Sequence, residues 1–316
     1  MCRTANSSST RDCPTTSRIR CRSGARPTCC GSCARIGKRG KSITMTMQSF
    51  RASDGLKIAY ALDDYTDPWR TPETVILVHA AMGSSQRFYA WVPHLAGAFR
   101  VVRINMRGHG ATEVPGPAQL SQERLVKDVA ELADHLSAQR FHVGGSSAGA
   151  VVAEKVAIDY RERVLTLGAF AATAGIKHGL QDQSSWVQRI GERGLAQFLR
   201  DTIADRVDLA SASPGFVDWF IAESAKTSVE VLARFVPMMR SFEVLDELHR
   251  IRCPTLAIAP GGDPIHKLEH YSVLKERIPE CEFVVYEGLP HNITDAVPDR
   301  CARDYLRFLL AKRQLA

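Results

Sequence analysis

The 316-residue chain predicts an α/β fold. A mostly parallel sheet is covered by helices on both faces, and an all-helical segment is inserted before the last two strands. Three observations carry this. Residues 75–79 form a continuous apolar run, as expected of a strand buried on both faces. Strand-like and helix-like segments then alternate along the chain, the order that builds parallel βαβ units. The alternation fails once, between about residues 175 and 246, where several helical stretches replace any buried-strand run.

In chain order, residues 48–53 and 56–62 flank Asp54-Gly55, a hairpin turn signal. Residues 63–73 are a polar loop with Pro68 and Pro72. The strand 75–79 runs into a small-residue loop, 80–85, and a helix through Trp91 and Leu95. Residues 99–104 form the next strand, and Arg107-Gly108-His109-Gly110 a tight structural turn. His79 is read as structural too, its ring bonded to loop backbone. Ser121 caps a helix reaching about residue 139, with Leu125, Val129, Leu132, Ala133 and Leu136 at the helical period. A strand at 141–143, a helix at 148–158 and a strand at 164–171 follow.

The inserted segment reads as helices around 186–190, 195–203, 216–222 and 229–239. It carries Trp186, Phe198, Trp219, Phe220, Phe235, Met238 and Met239. These are expected mostly as core, with one or two on a pocket. Its eight Lys and Arg against ten Asp and Glu give no sign of a strongly charged substrate. Strands return at 255–259 and 283–286, separated by a helix over 267–278, and a helix over 297–310 ends the pattern. The expected division is an extension over 1–44, a core formed by 45–174 and 247–316, and a helical lid over 175–246.

Composition separates the extension from the rest. Residues 1–44 hold 10 Lys and Arg and one acid, Asp12, whereas the remainder holds 31 basic and 33 acidic residues. The net charge of +7 therefore resides in the extension, and the body argues against a nucleic-acid surface. Six of nine cysteines (Cys2, Cys13, Cys21, Cys29, Cys30 and Cys33) lie there as well. The extension lacks apolar periodicity and is expected to be disordered. Translation from Met45 or Met47 is the favoured reading, ahead of a transit peptide and of zinc binding through Cys30-x-x-Cys33. Cys253, Cys281 and Cys301 look like small buried residues, which suits a reducing, cytoplasmic compartment. No apolar run is long enough to span a bilayer.

The chemistry gathers on Gly145-Ser146-Ser147-Ala148-Gly149, a G-x-S-x-G motif between a strand and a helix. The turn forces Ser147 into a strained conformation, and side chains at 145 or 149 would collide with a neighbouring strand or helix. Ser147 is the candidate nucleophile. His291, just after the last strand, is the candidate base, and Asp263, after the preceding strand, the acid that orients it. The amides of Ala148 and Ala81 are candidate oxyanion donors. There is no metal-ligand spacing and no phosphate loop, so neither metal nor cofactor is expected.

Over residues 48–312 the sequence resembles the α/β-hydrolase superfamily, and within it the lid-bearing group of 3-oxoadipate enol-lactonases. The likeness rests on His79…Gly83, residues 99–103, Arg107-Gly108-His109-Gly110-Ala111, the motif around Ser147, residues 248–256, Asp263 and His291. Ala80 stands where many relatives have Gly, and Ser146 where many have His or another residue. The resemblance implies a cofactor-free hydrolase cleaving a small ester or lactone through an acyl-enzyme. It also implies a small acidic substrate, whose carboxylate a lid cation such as Arg189 or Arg193 would hold. Trp186, Arg189 and Met239 are the expected substrate contacts. The alternatives are a carbon–carbon bond hydrolase of ring-cleavage products and a non-catalytic ligand-binding protein. The expected partner is a small molecule, with no nucleic acid or membrane; a homo-oligomer is compatible with the sequence.

Overall fold

The computed structural model describes residues 47–175 and 184–313. The readings made for the extension over 1–44 lie outside these residues, as does the first part of the inserted segment. Eight strands form one sheet in the order β1-β2-β4-β3-β5-β6-β7-β8. Strands β1 (Met47–Arg51) and β2 (Lys57–Asp63) make the expected hairpin around Asp54-Gly55 and are antiparallel to each other; β2 is also antiparallel to β4 (Arg100–Ile104). The others, β3 (Thr74–Val78), β5 (Phe141–Ser146), β6 (Val164–Phe170), β7 (Thr255–Pro260) and β8 (Cys281–Tyr286), pair in parallel, with β3 bridging β4 and β5. Every residue of β3 and β5 is buried, which is why these strands show no alternation.

Helices cover both faces. Helix α1 (Val92–Leu95) follows a 3₁₀ segment, Ser85–Trp91, which Ser84 caps by accepting from the Gln86 amide. The helix expected through Trp91 is therefore mostly 3₁₀ and breaks at Phe88, before Pro93 sets the short α-turn. Helix α2 (Gln122–His135) begins, as expected, on Ser121, whose hydroxyl accepts from the Arg124 amide. It stops four residues short of the expected end. Ser137 adopts a positive φ of 55°, its amide donates to Asp134 O, and the Ala138 amide donates to Ala133 O. That is a Schellman closure with serine in the position usually held by glycine. Helix α3 (Ala148–Asp159) leaves the end of β5.

Between β6 and β7 come α4 (Ser184–Arg193), α5 (Leu195–Asp201), α6 (Phe216–Ser224) and α7 (Val229–Arg240). Their shared apolar cluster includes Ile190, Phe198, Leu199, Phe220 and Leu232. Helix α7 serves two cores. Leu232 and Val236 face this cluster, while Val231, Phe235 and Met239 join the main core. An isolated bridge between Gly175 and Glu243 closes the base of the insertion. Helices α8 (Leu268–Arg277), α9 (Ile293–Ala296) and α10 (Pro298–Arg313) complete the fold. No helix among the described residues is long and apolar enough to cross a membrane.

Two polar anchors hold the loops at the C-terminal edge of the sheet. Arg107 is fully buried and donates in bidentate fashion to Asp128 on α2, at 2.6 Å from both Nε and Nη2, and from Nη1 to Asp54 in the hairpin turn. His79 accepts the Met106 amide at Nε2, so its proton sits on Nδ1, which donates to Ala80 O at 2.8 Å. Its neighbour His109 donates from Nδ1 to Arg107 O and packs edge-on against Phe235.

Burial holds both histidines neutral, with His109 pulled down to about 4 and His79 well below its ordinary value. The unfolded chain takes up a proton at each near pH 6.5, whereas the native state refuses it, so stability is lost as pH falls below that point. For His109 the loss runs from about 6.5 down to about 4. It amounts to about 1.4 kcal/mol per pH unit for each histidine. We expect His109→Gln to show a shallower fall in Tm between pH 7.5 and 5 than wild type. Equal slopes would show that His109 does not contribute.

Candidate active site

The parallel strands bring their C-terminal ends to one edge, and the loops leaving β3, β5, β7 and β8 meet there. Ser147 sits between β5 and α3 at φ 52° and ψ −119°. A Cβ on Gly145 would lie 2.1 Å from the Gly149 carbonyl oxygen, and one on Gly149 would lie 2.3 Å from Val78 O and 2.4 Å from His79 O. The helix thus starts hard against β3 and against its own strand, which leaves Ser147 only the left-handed turn. Ser146 is buried, and its hydroxyl meets that of Thr294 at 2.9 Å, tying the turn to the segment after His291.

Ser147, Asp263 and His291, far apart in sequence, form one hydrogen-bonded chain. His291 Nε2 lies 2.8 Å from Ser147 Oγ, and His291 Nδ1 lies 2.7 Å from Asp263 Oδ2. A carboxylate only accepts, so Nδ1 carries the proton and Nε2 accepts from the serine. The Asp263 side chain is fully buried. Burial alone would raise its pKa, but His291, the Tyr271 hydroxyl and the Ile265 amide together hold it below the usual carboxylate range. The Ile265 amide donates to Oδ1 at 2.7 Å, while Tyr271 and His291 both donate to Oδ2. Tyr271 comes from α8, and its Oη is also 3.3 Å from His291 Nδ1.

The inserted helices reach the histidine through the main chain. The His291 amide donates to Asp205 O at 3.3 Å, and the Asn292 amide to Arg206 O at 2.9 Å.

Ala81, Ala148, Ser147 and His291 all line one cavity. Ala148 is the first residue of α3, whose opening amides have no acceptor within the helix. The empty space, open solvent at the mouth included, is about 670 Å³. Of the three expected contacts, Trp186 and Met239 line it. Arg189 does not: its guanidinium stacks over Phe198, 5.0 Å from the ring centroid. Arg193, the other expected cation, is half exposed and paired with Asp201. Besides Ser147 and His291, the polar residues that line the cavity were missed in the sequence: Arg87, Arg206, Ser224, His266 and Asn292. Arg87 is buried and paired with both oxygens of Asp295, and it donates to Ser224 at 3.0 Å. His266 packs 5.7 Å from the His291 ring centroid, and burial, reinforced by His291, pulls it down to about 3, so it is neutral. Two of these had a legible signal. Arg87 shares a buried face with Phe88 and Trp91, and Arg206 falls among Leu199, Ile203 and Val207, where the apolar stripe predicts a hydrophobe. Tyr271 had none.

The family model of the alpha/beta hydrolase fold matches residues 73–295. A relative from Caulobacter sp. (strain K31), provisionally named carbamate hydrolase RutD, is 27% identical over 256 residues, spanning 75% of this chain and 90% of its own. The 3-oxoadipate enol-lactonase 1 of Acinetobacter baylyi is 25% identical over 207 residues, spanning 63% of this chain and 75% of its own. A solved hydrolase from Pseudomonas aeruginosa PA01 superposes with a TM-score of 0.73 at 27% identity, covering 83% of this chain and 98% of that one. With the fold, the sheet order and the matched length in agreement, the chain belongs to the α/β-hydrolase family.

Proposed function

We propose that the protein is a serine hydrolase of small carboxylic esters or lactones that works through an acyl-enzyme. The observation that carries this reading is the unbroken hydrogen-bonded chain Ser147–His291–Asp263, whose serine and histidine line a mostly apolar cavity. His291 takes the Ser147 proton as the oxygen attacks the carbonyl carbon, and the imidazolium that forms is stabilised by Asp263. The amides of Ala81 and Ala148 receive the negative charge of the tetrahedral intermediate. His291 then gives its proton to the leaving oxygen. In the second half it activates the water that releases the acid. The inserted helices act as a lid whose residues Trp186, Phe220, Phe235 and Met239 form the apolar walls. The cleaved bond is read as an ester or lactone by analogy with enol-lactonase relatives; those named for carbamate hydrolysis make a carbamate panel the necessary control.

Intact-mass analysis after fluorophosphonate treatment tests the reading. Wild type should gain one adduct and Ser147→Ala none. A well-folded wild type that stays unlabelled, both by this probe and by a smaller sulfonyl fluoride, would overturn it.

A second test concerns Tyr271. Its hydroxyl shares Asp263 Oδ2 with His291 and so helps to fix the carboxylate that orients the imidazole. In Tyr271→Phe that carboxylate loses one of its three donors, and kcat/KM should fall about 10-fold, roughly the worth of one charge-assisted hydrogen bond, with KM and Tm little changed. A loss of activity that follows a matching loss of Tm would assign Tyr271 to packing.

A further inference from the structure

Arg206 poses an electrostatic problem that the fold leaves unsolved. The residue is 5% exposed and lines the cavity that holds Ser147 and His291. Its planar group lies near the rings of Trp186 and Phe198, with centroid distances of 5.3 and 5.5 Å. Nη1 donates to Thr202 O at 2.8 Å. Among the described residues the guanidinium forms no ion pair. Asp205 and Asp263 stabilise its charge only at longer range, and Arg87 and Arg189 oppose it. Burial pulls it down to about 10, which still leaves it cationic at neutral pH. A buried charge without a paired counter-charge is costly.

The other cavity cation behaves differently. Arg87 is held by both oxygens of Asp295, so its charge is met inside the protein. Among the described residues that line the cavity, Arg206 is therefore the cation without a paired carboxylate, and its flat fork matches the carboxylate of a ligand.

We propose that Arg206 is the binding site for a carboxylate carried by the substrate itself, so that the enzyme acts on esters or lactones that bear a free acid away from the cleaved bond. This deepens the hydrolase reading of the same cavity and rests on it. Ordering the acid at Arg206 would also dock the substrate on the segment whose carbonyls hold the amides of His291 and Asn292.

Matched ester pairs give the test. One pair carries the charge on the acyl side, p-nitrophenyl hydrogen adipate against methyl p-nitrophenyl adipate. The other carries it on the alcohol side, 4-acetoxybenzoate against its methyl ester. Wild type should favour the acid in at least one pair, and Arg206→Met should reduce kcat/KM for that acid about 10- to 100-fold more than for its neutral twin, the worth of a charge-assisted hydrogen bond. Arg206→Lys should recover part of the preference. Adipate alone should raise the Tm of wild type and not that of Arg206→Met. No acid preference in either pair, equal losses on acid and neutral esters, or equal stabilisation of both proteins by adipate would each overturn the assignment. Fluorophosphonate labelling run alongside separates the two readings. If Ser147 does not label, the hydrolase reading falls, and the adipate shift alone decides whether Arg206 binds a carboxylate.

Discussion

The left-handed backbone of Ser147 is the constraint on which the rest of the site depends. It exists because α3 begins closer to β3 and β5 than any side chain would permit, and Gly145 and Gly149 are the residues that permit it. The strain is held by neighbours on every side. The Ser147 amide donates to Phe170 O, Ser146 binds Thr294, and Arg103, Arg107 and His79 fix the loops beside it. A sheet with fully buried central strands gives the rigid platform that such a turn requires.

The buried charges follow a consistent division. Arg107 with Asp128, and Arg87 with Asp295, are internally matched pairs that bind one element to another. Neither pair makes a demand on a ligand. Asp263 is matched by three donors, one of them His291. Arg206 stands apart as a buried cation whose described polar partner is a backbone carbonyl. The distinction matters more than the number of charges, because only an incompletely matched group changes in energy when a ligand arrives.

Much of this was legible in the sequence. Buried strands announced themselves by continuous apolar runs, α2 by its period and Ser121, and the nucleophile turn by two glycines at fixed spacing. The order Ser, Asp, His along the chain named three residues that the structure brings into one hydrogen-bonded line. What was not legible had physical causes. The end of α2 is closed by Ser137 in a conformation that glycine usually marks. The segment after β3 is wound as 3₁₀, whose period differs from the one sought. The cavity cation was sought at Arg189 or Arg193 in the insertion; Arg206 is buried, and its only trace is a break in an apolar stripe. Tyr271 meets Asp263 across a loop and a helix, and no local pattern encodes that distance.

The two amides that follow the last strand end on carbonyl oxygens of the inserted helices, at Asp205 and Arg206. Main-chain acceptors are indifferent to the side chains that flank them. The insertion can therefore diverge freely in composition, and so in what the cavity admits, provided that its backbone path past residue 205 is kept. Grafting a foreign insertion onto this sheet would transfer a new set of cavity walls but would also remove the rest against which the histidine is placed. Exchange of specificity in this architecture is thus easiest residue by residue and hardest by whole segments.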